Sequence, residues 1–524
     1  MIMKAKYILK VLFTIFLAFA TSNCAYDKEL IEELAIDREF APVDLTARVR
    51  NQTIVELSWN TDDNVNHYVV EFSADDPDFN EIFLSVNVTA DELPVQIQLE
   101  GLTEYSIRVK AVSARGLGDS TWATESATTL AEQLMLPSVL GDIEYSQATL
   151  RWQPGINVTH IILDPDPDVS GDEIRHDITA QEKADGIAIV TGLASDTQYI
   201  AVLFNNIKPR GFIIFTTEVD PGTGTVISPS DDLLSIIGNA APGDVLILEQ
   251  GDYTSTPLDI TLDKSITIRS LLSYAKPLLK ASFSIVTGAE DVSLIDLDLA
   301  GDLVEELNDV VTFSDAGNYN SLLISGCNIH DYDRSFVRGP TTDAIVQTVT
   351  IENSIVTNVL TNGGDFIDFR NGDVFNLNVT TSTFNNCAPG RDFIRMDASG
   401  TSNDTGLTSN ILLDRCTLYA CSNSSSRRVF YVRFVSNDVT STNNLIAETE
   451  SEGYADRDGI DETPTFGNNN YFNAPGYFDD TQHTYDDTNY TTEDPGFVDA
   501  ASGDFTITNQ TLKDNQVGDP RWRP

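Results

Sequence analysis

A strand-like unit returns at a nearly constant interval through the C-terminal half of this chain, and no other feature constrains the fold as tightly. Taking Leu322-Leu-Ile324-Ser-Gly-Cys327-Asn-Ile329 as the template, the same apolar alternation recurs at Val349 to Val356, Leu377 to Phe384, Ile411 to Leu418 and Val439 to Ile446. A weaker copy precedes them at Val292 to Leu299. The positions matching Cys327 are Ser354, Ser382, Cys416 and Asn444, so the steps are 27, 28, 34 and 28 residues. Self-similarity at this period means stacked supersecondary units, and period-2 alternation rich in Val, Ile, Leu and Thr makes the units strands. One strand-rich turn per coil predicts a parallel β-helix, whose coils bury their inner faces only by stacking on one another.

A second column runs beside the first. It comprises Ser335-Phe-Val-Arg338, Asp365-Phe-Ile-Asp-Phe-Arg370, Asp392-Phe-Ile-Arg-Met-Asp397 and Phe430-Tyr-Val-Arg-Phe434. If Val337, Ile367, Ile394 and Val432 point inward, period 2 turns Phe336, Phe366, Phe393 and Tyr431 outward together with Arg338, Asp368, Arg395 and Arg433. That facing gives a glycan-binding ladder, completed by Arg370, in which aromatic faces stack on sugar rings and guanidinium groups grip uronate carboxylates. The opposite facing puts the aromatics in the core as a stacked ladder and leaves the arginines to pair with Asp365, Asp368, Asp392 and Asp397. Both stay open on sequence alone.

The remaining cysteines extend the repeat. Cys387 and Cys421 each lie five residues beyond an aligned position, which puts them in equivalent places of adjacent coils. Residues stacked one strand spacing apart, about 4.8 Å, fall within the Cα separation a disulfide allows. The 34-residue step between these coils, with an insertion around Thr401 to Thr408, works against that register. Cys327 and Cys416 read as buried thiols.

Lys4, Lys6 and Lys10 precede the apolar run Val11 to Ala20, and small and polar residues then lead to Cys24. The run is too short for a transmembrane helix and reads as a secretory signal. It resembles lipoprotein signals, which implies lipidation of Cys24. Ala25-Tyr-Asp-Lys-Glu29 resembles the acidic tag that sends lipoproteins of glycan-foraging Gram-negative bacteria to the outer face of the outer membrane, where other glycan-uptake surface proteins would be partners. The chain carries 32 basic and 80 acidic residues, a net charge of −48. That excludes nucleic acid as a partner and confines any uronate binding to a local basic patch.

Two segments of sandwich character precede the repeats. Leu57-Ser-Trp59, Tyr68-Val-Val-Glu-Phe72 and Leu102-Thr-Glu-Tyr105-Ser-Ile-Arg-Val109, with Gly116-Leu-Gly118, resemble a fibronectin type III module, and Tyr105 stands where that family has its corner tyrosine. Leu150-Arg-Trp152 and Gly192-Leu-Ala-Ser-Asp-Thr-Gln-Tyr199 resemble a divergent second copy, with its last hairpin turning at Asn205-Asn206. Ser228 to Ile237 and Pro242 to Tyr253 resemble the opening of pectate-lyase-like (pectin lyase superfold) right-handed β-helices, in which a short helix caps the first coil; the closing segments around Glu493 and Gly518 resemble uncharacterised lipoproteins of that superfamily.

The expected class is therefore all-β: a signal peptide over 1–24, a tether over 25–40, fibronectin type III-like modules over 41–131 and 132–219, and a pectate-lyase-like β-helix over 220–524. The expected function is binding of a linear, uronate-containing polysaccharide along the β-helix during glycan utilisation. The alternative is a calcium-assisted polysaccharide lyase, with Arg395 or Arg370 as base and Asp365, Asp368 and Asp397 as hard oxygen ligands. His330 reads as a turn residue. The Asp456 to Glu462 loop reads as a solvated acidic loop in preference to a calcium loop, and Gly467-Asn-Asn-Asn470 as a coil turn.

Overall fold

A computed structural model describes residues 37–165, 173–254, 256–301, 307–360, 362–396, 409–432, 437–454 and 464–523. Cys24, Asp397, Arg433, the Thr401 to Thr408 insertion and the Asp456 to Glu462 loop lie outside these residues. The chain folds as two compact units. The smaller takes residues up to Ser138, Leu150–Ala188 and Tyr199–Ile214, and the larger takes Val139–Thr149, Ile189–Gln198 and Phe215 onward. Among the described residues no helix is long and apolar enough to cross a membrane.

The first module pairs a three-stranded sheet (Val43–Arg50, Ile54–Asn60, Val95–Gln98) with a four-stranded one (Leu84–Val88, Val65–Ala74, Glu104–Ser113, Ala123–Thr128). Strict alternation along Glu104–Ser113 buries Tyr105, Ile107, Val109 and Ala111. Trp59 meets Tyr68 edge-on at 5.1 Å. The corner tyrosine is in place: the Tyr105 hydroxyl accepts from Glu100 N at 3.0 Å, and burial pushes its pKa up to about 12. The expected tether ends sooner than residue 40, since Glu39 is already buried on the module, accepting from Ser113 Oγ at 2.6 Å and Arg115 Nη2 at 3.0 Å.

The second module has strand orders Ile174–Asp177, His160–Pro165, Gln198–Asn205, Lys208–Thr216 and Ile187–Thr191, Gln147–Trp152, Met135–Leu136. Trp152 and Tyr199 are buried, and the hairpin turns through Asn206 at φ 53°.

From Thr225 onward the chain coils into three parallel sheets of ten, seven and eight strands. The helix Leu233–Asn239, N-capped by Asp232, buries Leu233 and Ile237 against the first coil. Leu322 pairs with Val349, Val349 with Leu377, Leu377 with Ile411 and Ile411 with Val439, the alignment the repeat predicts, and Val292 stacks on Leu322 as the earlier copy. The small inward column hydrogen-bonds along the stack. Cys327 N donates to Ser354 Oγ and Ser354 N to Ser382 Oγ, both at 3.1 Å, and Cys416 N donates to Asn444 Oδ1 at 2.9 Å. Asn353, Asn443 and Asn468 occupy left-handed backbone at the matching turn, where Asn is tolerated.

The four described cysteines are buried free thiols, so the Cys387–Cys421 bridge is not present. Each thiol donates one coil back, Cys387 Sγ to Val356 O at 3.5 Å and Cys421 Sγ to Phe384 O at 3.3 Å. The two thiols also meet one another, and burial together with the neighbouring Cys421 thiol raises the Cys387 pKa. At the far end, Gly518 N donates to Asn443 O, and Asp519 accepts from Thr383 Oγ1 at 2.7 Å, which docks the closing segment on the outside of the eight-stranded sheet.

Candidate functional site

The seven-stranded sheet holds the second column. Its strands are Leu258–Leu262, Ala281–Ile285, Asp309–Phe313, Ser335–Arg338, Ile367–Phe369, Ile394–Met396 and Phe430–Val432. Phe283, Val311, Val337, Ile367, Ile394 and Phe430 form one inward row. The adjacent positions Ser284, Thr312, Arg338, Asp368, Arg395 and Tyr431 stack as its alternate row.

Phe336, Phe366 and Phe393 are not on the outer face. All three are fully buried, Phe366 stacks on Phe393 at 4.6 Å, and Phe384 of the neighbouring sheet closes on both edge-on at 5.6 and 5.1 Å. Period 2 fails here because Phe366 and Phe393 precede strands only three residues long. They sit at the corner where the chain turns, and a corner residue is free to point into the core. Tyr431 is not their counterpart: it pairs with Arg395, two positions from the expected register. It is 7% exposed, with Arg395 and Arg428 guanidinium groups 5.0 and 4.9 Å from its ring centroid.

The arginines form a charge network on this face, with side chains 21% (Arg338), 29% (Arg370) and 19% (Arg395) exposed. Arg370 Nε donates to Asp368 Oδ1 at 2.8 Å, and its Nη2 reaches Asp365 Oδ2 at 3.2 Å. Arg395 Nη1 donates to the same Asp365 oxygen at 3.0 Å, while Asp392 N donates to the other Asp365 oxygen at 3.2 Å. Asp392 is held by Arg428 N at 3.1 Å, and burial raises its pKa against the opposing pull of Arg428.

These contacts correct the catalytic and metal expectations. The hydrogen bonds to Asp368 hold the Arg370 pKa above its ordinary value, the wrong direction for a base. Arg395 is committed to Asp365. The buried carboxylates of Asp365 and Asp368, expected as calcium ligands, are occupied by guanidinium groups. Among the described residues no group of three or more His, Cys, Asp or Glu side chains is placed to hold a metal ion. His330 ends the strand Asn328–His330, with Nδ1 2.8 Å from Asp331 Oδ2 and Nε2 3.3 Å from Asp298 Oδ1. The flanking carboxylates push its pKa up to about 9, so it is a cation at neutral pH.

Upstream on the same sheet lies a groove of about 340 Å³ that no repeat motif marks. It is lined by Asp259, Ser282, Ser284, Asn308, Asp309 and Thr312 beside Arg334. Arg334 closes one wall by a fork on Asp309, Nε to Oδ1 at 2.8 Å and Nη2 to Oδ2 at 2.5 Å. Thr312 Oγ1 adds a bond to Asp309 Oδ2 at 3.3 Å, and Ser282 Oγ donates to Asp259 Oδ1. Thr312 stands directly beside Arg338 across the strand pair, so the groove and the arginine ladder are continuous. Hydroxyls, a carboxamide, carboxylates and a guanidinium lining a sheet face are donors and acceptors matched to sugar hydroxyls.

Family models described as domains of unknown function match residues 251–387 (DUF4957) and 411–522 (DUF5123), the first spanning the groove together with Arg338 and Arg370. No curated protein matches the chain. Among solved structures, a two-domain fibronectin type III segment of chicken tenascin is 17% identical, covering 34% of this chain and 99% of its own, with a TM-score of 0.24. The central fibronectin III array of RIM-binding protein is 19% identical, covering 37% and 66%, with a TM-score of 0.14. The sandwich and β-helix assignments rest on the strand orders and registers above.

Proposed function

We propose that this chain binds a linear, uronate-containing polysaccharide along the seven-stranded sheet, and that a lipid on Cys24 holds it at the outer surface of the outer membrane as part of glycan utilisation. The observation that carries the binding reading is the groove: polar side chains from successive coils converge on one open face and run on into a row of arginines. Aromatic stacking is not part of the proposal, because the column that would supply it is buried. Hydrogen bonds to hydroxyls and a charge-assisted contact to a carboxylate take its place. The net charge of −48 fits a surface protein that repels dense polyanions and accepts acid only locally.

Affinity electrophoresis of the full-length chain in gels containing pectic, alginate-type and neutral polysaccharides tests the reading. The wild type is retarded by at least one of them, and Ser284→Trp, which fills the groove from an outward position, abolishes the retardation without shifting the Tm. Retardation by none, or equal retardation of the variant, removes the groove as the site. Fatty-acid labelling that disappears in Cys24→Ala tests the anchor.

A further inference from the structure

The arginines of this face are not equally satisfied. Arg334 is neutralised by its fork on Asp309, Arg370 by Asp368 and Asp365, Arg395 by Asp365, and Arg428 by Asp392 at 3.3 Å with Glu452 at 3.6 Å. Arg338 differs. Among the described residues its ion pair is to Asp309 Oδ2 at 3.8 Å, an oxygen Arg334 already holds; its buried Nε has no hydrogen-bond partner, as is true of the Arg428 Nε, but that one lies 3.3 Å from Asp392. Burial and the neighbouring Arg334 charge weaken its hold on its proton, which an anion beside it would reverse.

The neighbours of Arg338 along the stack differ in kind. On one side come Thr312 and then Ser284, hydroxyl residues that line the groove. On the other comes Asp368, whose carboxylate lies beneath Arg370. Successive strands are about 4.8 Å apart, close to the advance of one sugar along an extended glycan, so a chain lying along the stack sets about one sugar on each strand. An acidic sugar on Arg338 then has hydroxyl-lined strands to one side and a carboxylate-bearing strand to the other. A homopolymer with acid on every sugar would set its next carboxylate on the strand of Asp368, where Arg370 and Arg395 are already neutralised by Asp368 and Asp365, inside a strongly negative molecule.

We infer that the groove is a subsite for a glycan whose acidic sugars are isolated between neutral ones, with one carboxylate seated on Arg338 and the neighbouring neutral sugar against Thr312. This rests on the glycan-binding reading and narrows its substrate class. A planar carboxylate fits because a guanidinium presents parallel N–H groups to it.

Calorimetric titration of the full-length chain tests it with three probes of equal length: an alternating uronate–N-acetylhexosamine oligosaccharide, a homouronate, and the alternating oligosaccharide with its carboxyls reduced to alcohols. The alternating probe binds about tenfold or more tighter than either other probe, the scale of a charge-assisted hydrogen bond. Arg338→Gln removes that advantage and leaves the reduced probe unchanged. With the wild type alone, added salt strengthens homouronate binding by screening repulsion and weakens the alternating probe. Homouronate binding equal to or tighter than the alternating probe, or an Arg338→Gln loss equal for all probes, overturns the inference. Binding of the reduced probe without any acid preference defeats this inference alone, whereas no binding by any probe defeats the glycan-binding reading with it.

Discussion

At the scale of single residues, facing decides role. Phe366 packs between Phe336, Phe393 and Phe384 in the interior, so Phe366→Ala leaves a cavity and costs about 3 to 5 kcal/mol of stability. Chemical denaturation checks this; an unchanged midpoint with lost glycan binding would restore the outward facing. His330 makes a separate claim. Its folded pKa of about 9 lies above the ordinary value of 6.5, so its contribution is fully present below about pH 6.5 and is lost as pH rises through 9. Thermal melts of the wild type and His330→Gln converge as pH rises from 6.5 to beyond 9, and a difference that grows over that interval would contradict the ion-pair assignment. The sequence left the facing of this column open, period 2 turning Arg338 outward only if Val337 points inward. The facing of the phenylalanines was not legible, because a three-residue strand gives the alternation no room to extend past its corner.

At the scale of elements, the coil is held by its inward polar column as well as by its apolar rows. Asn444 accepts from Cys416 N at 2.9 Å and donates to Leu413 O at 2.9 Å and Ser441 Oγ at 3.1 Å, all buried. Asn444→Ala leaves the Cys416 amide unsatisfied and costs about 1 to 3 kcal/mol. Hydrogen exchange should show the loss of protection concentrated at Cys416 and its neighbours, and a loss spread evenly over all coils would argue against a local ladder. This column was readable because a small or amide residue is required once per coil at a fixed offset from the apolar alternation, and neither requirement depends on loop length. The register of Tyr431 was not readable, because the segment between Arg395 and Tyr431 is longer than the preceding step and the motif's own alternation let it slide by two.

At the scale of the whole molecule, the organisation of two sandwiches followed by a capped β-helix followed from the sequence because each part has a local mark: Trp59 and Tyr105, Trp152 and Tyr199, the amphipathic cap, and the repeat. The groove had no such mark. Asp259, Ser282, Ser284 and Thr312 belong to early coils whose resemblance to the Leu322 template is faint, and it takes the fold to bring them beside Arg338. Glycan binding on this shared face is the proposal from which the others descend. Hydrogen–deuterium exchange of the full-length chain decides it, run with and without a saturating glycan identified by electrophoresis. Protection is expected to centre on strands Ala281–Ile285, Asp309–Phe313 and Ser335–Arg338 of the seven-stranded sheet, while protection confined to the two sandwich modules or to the ten-stranded sheet would contradict binding on this face.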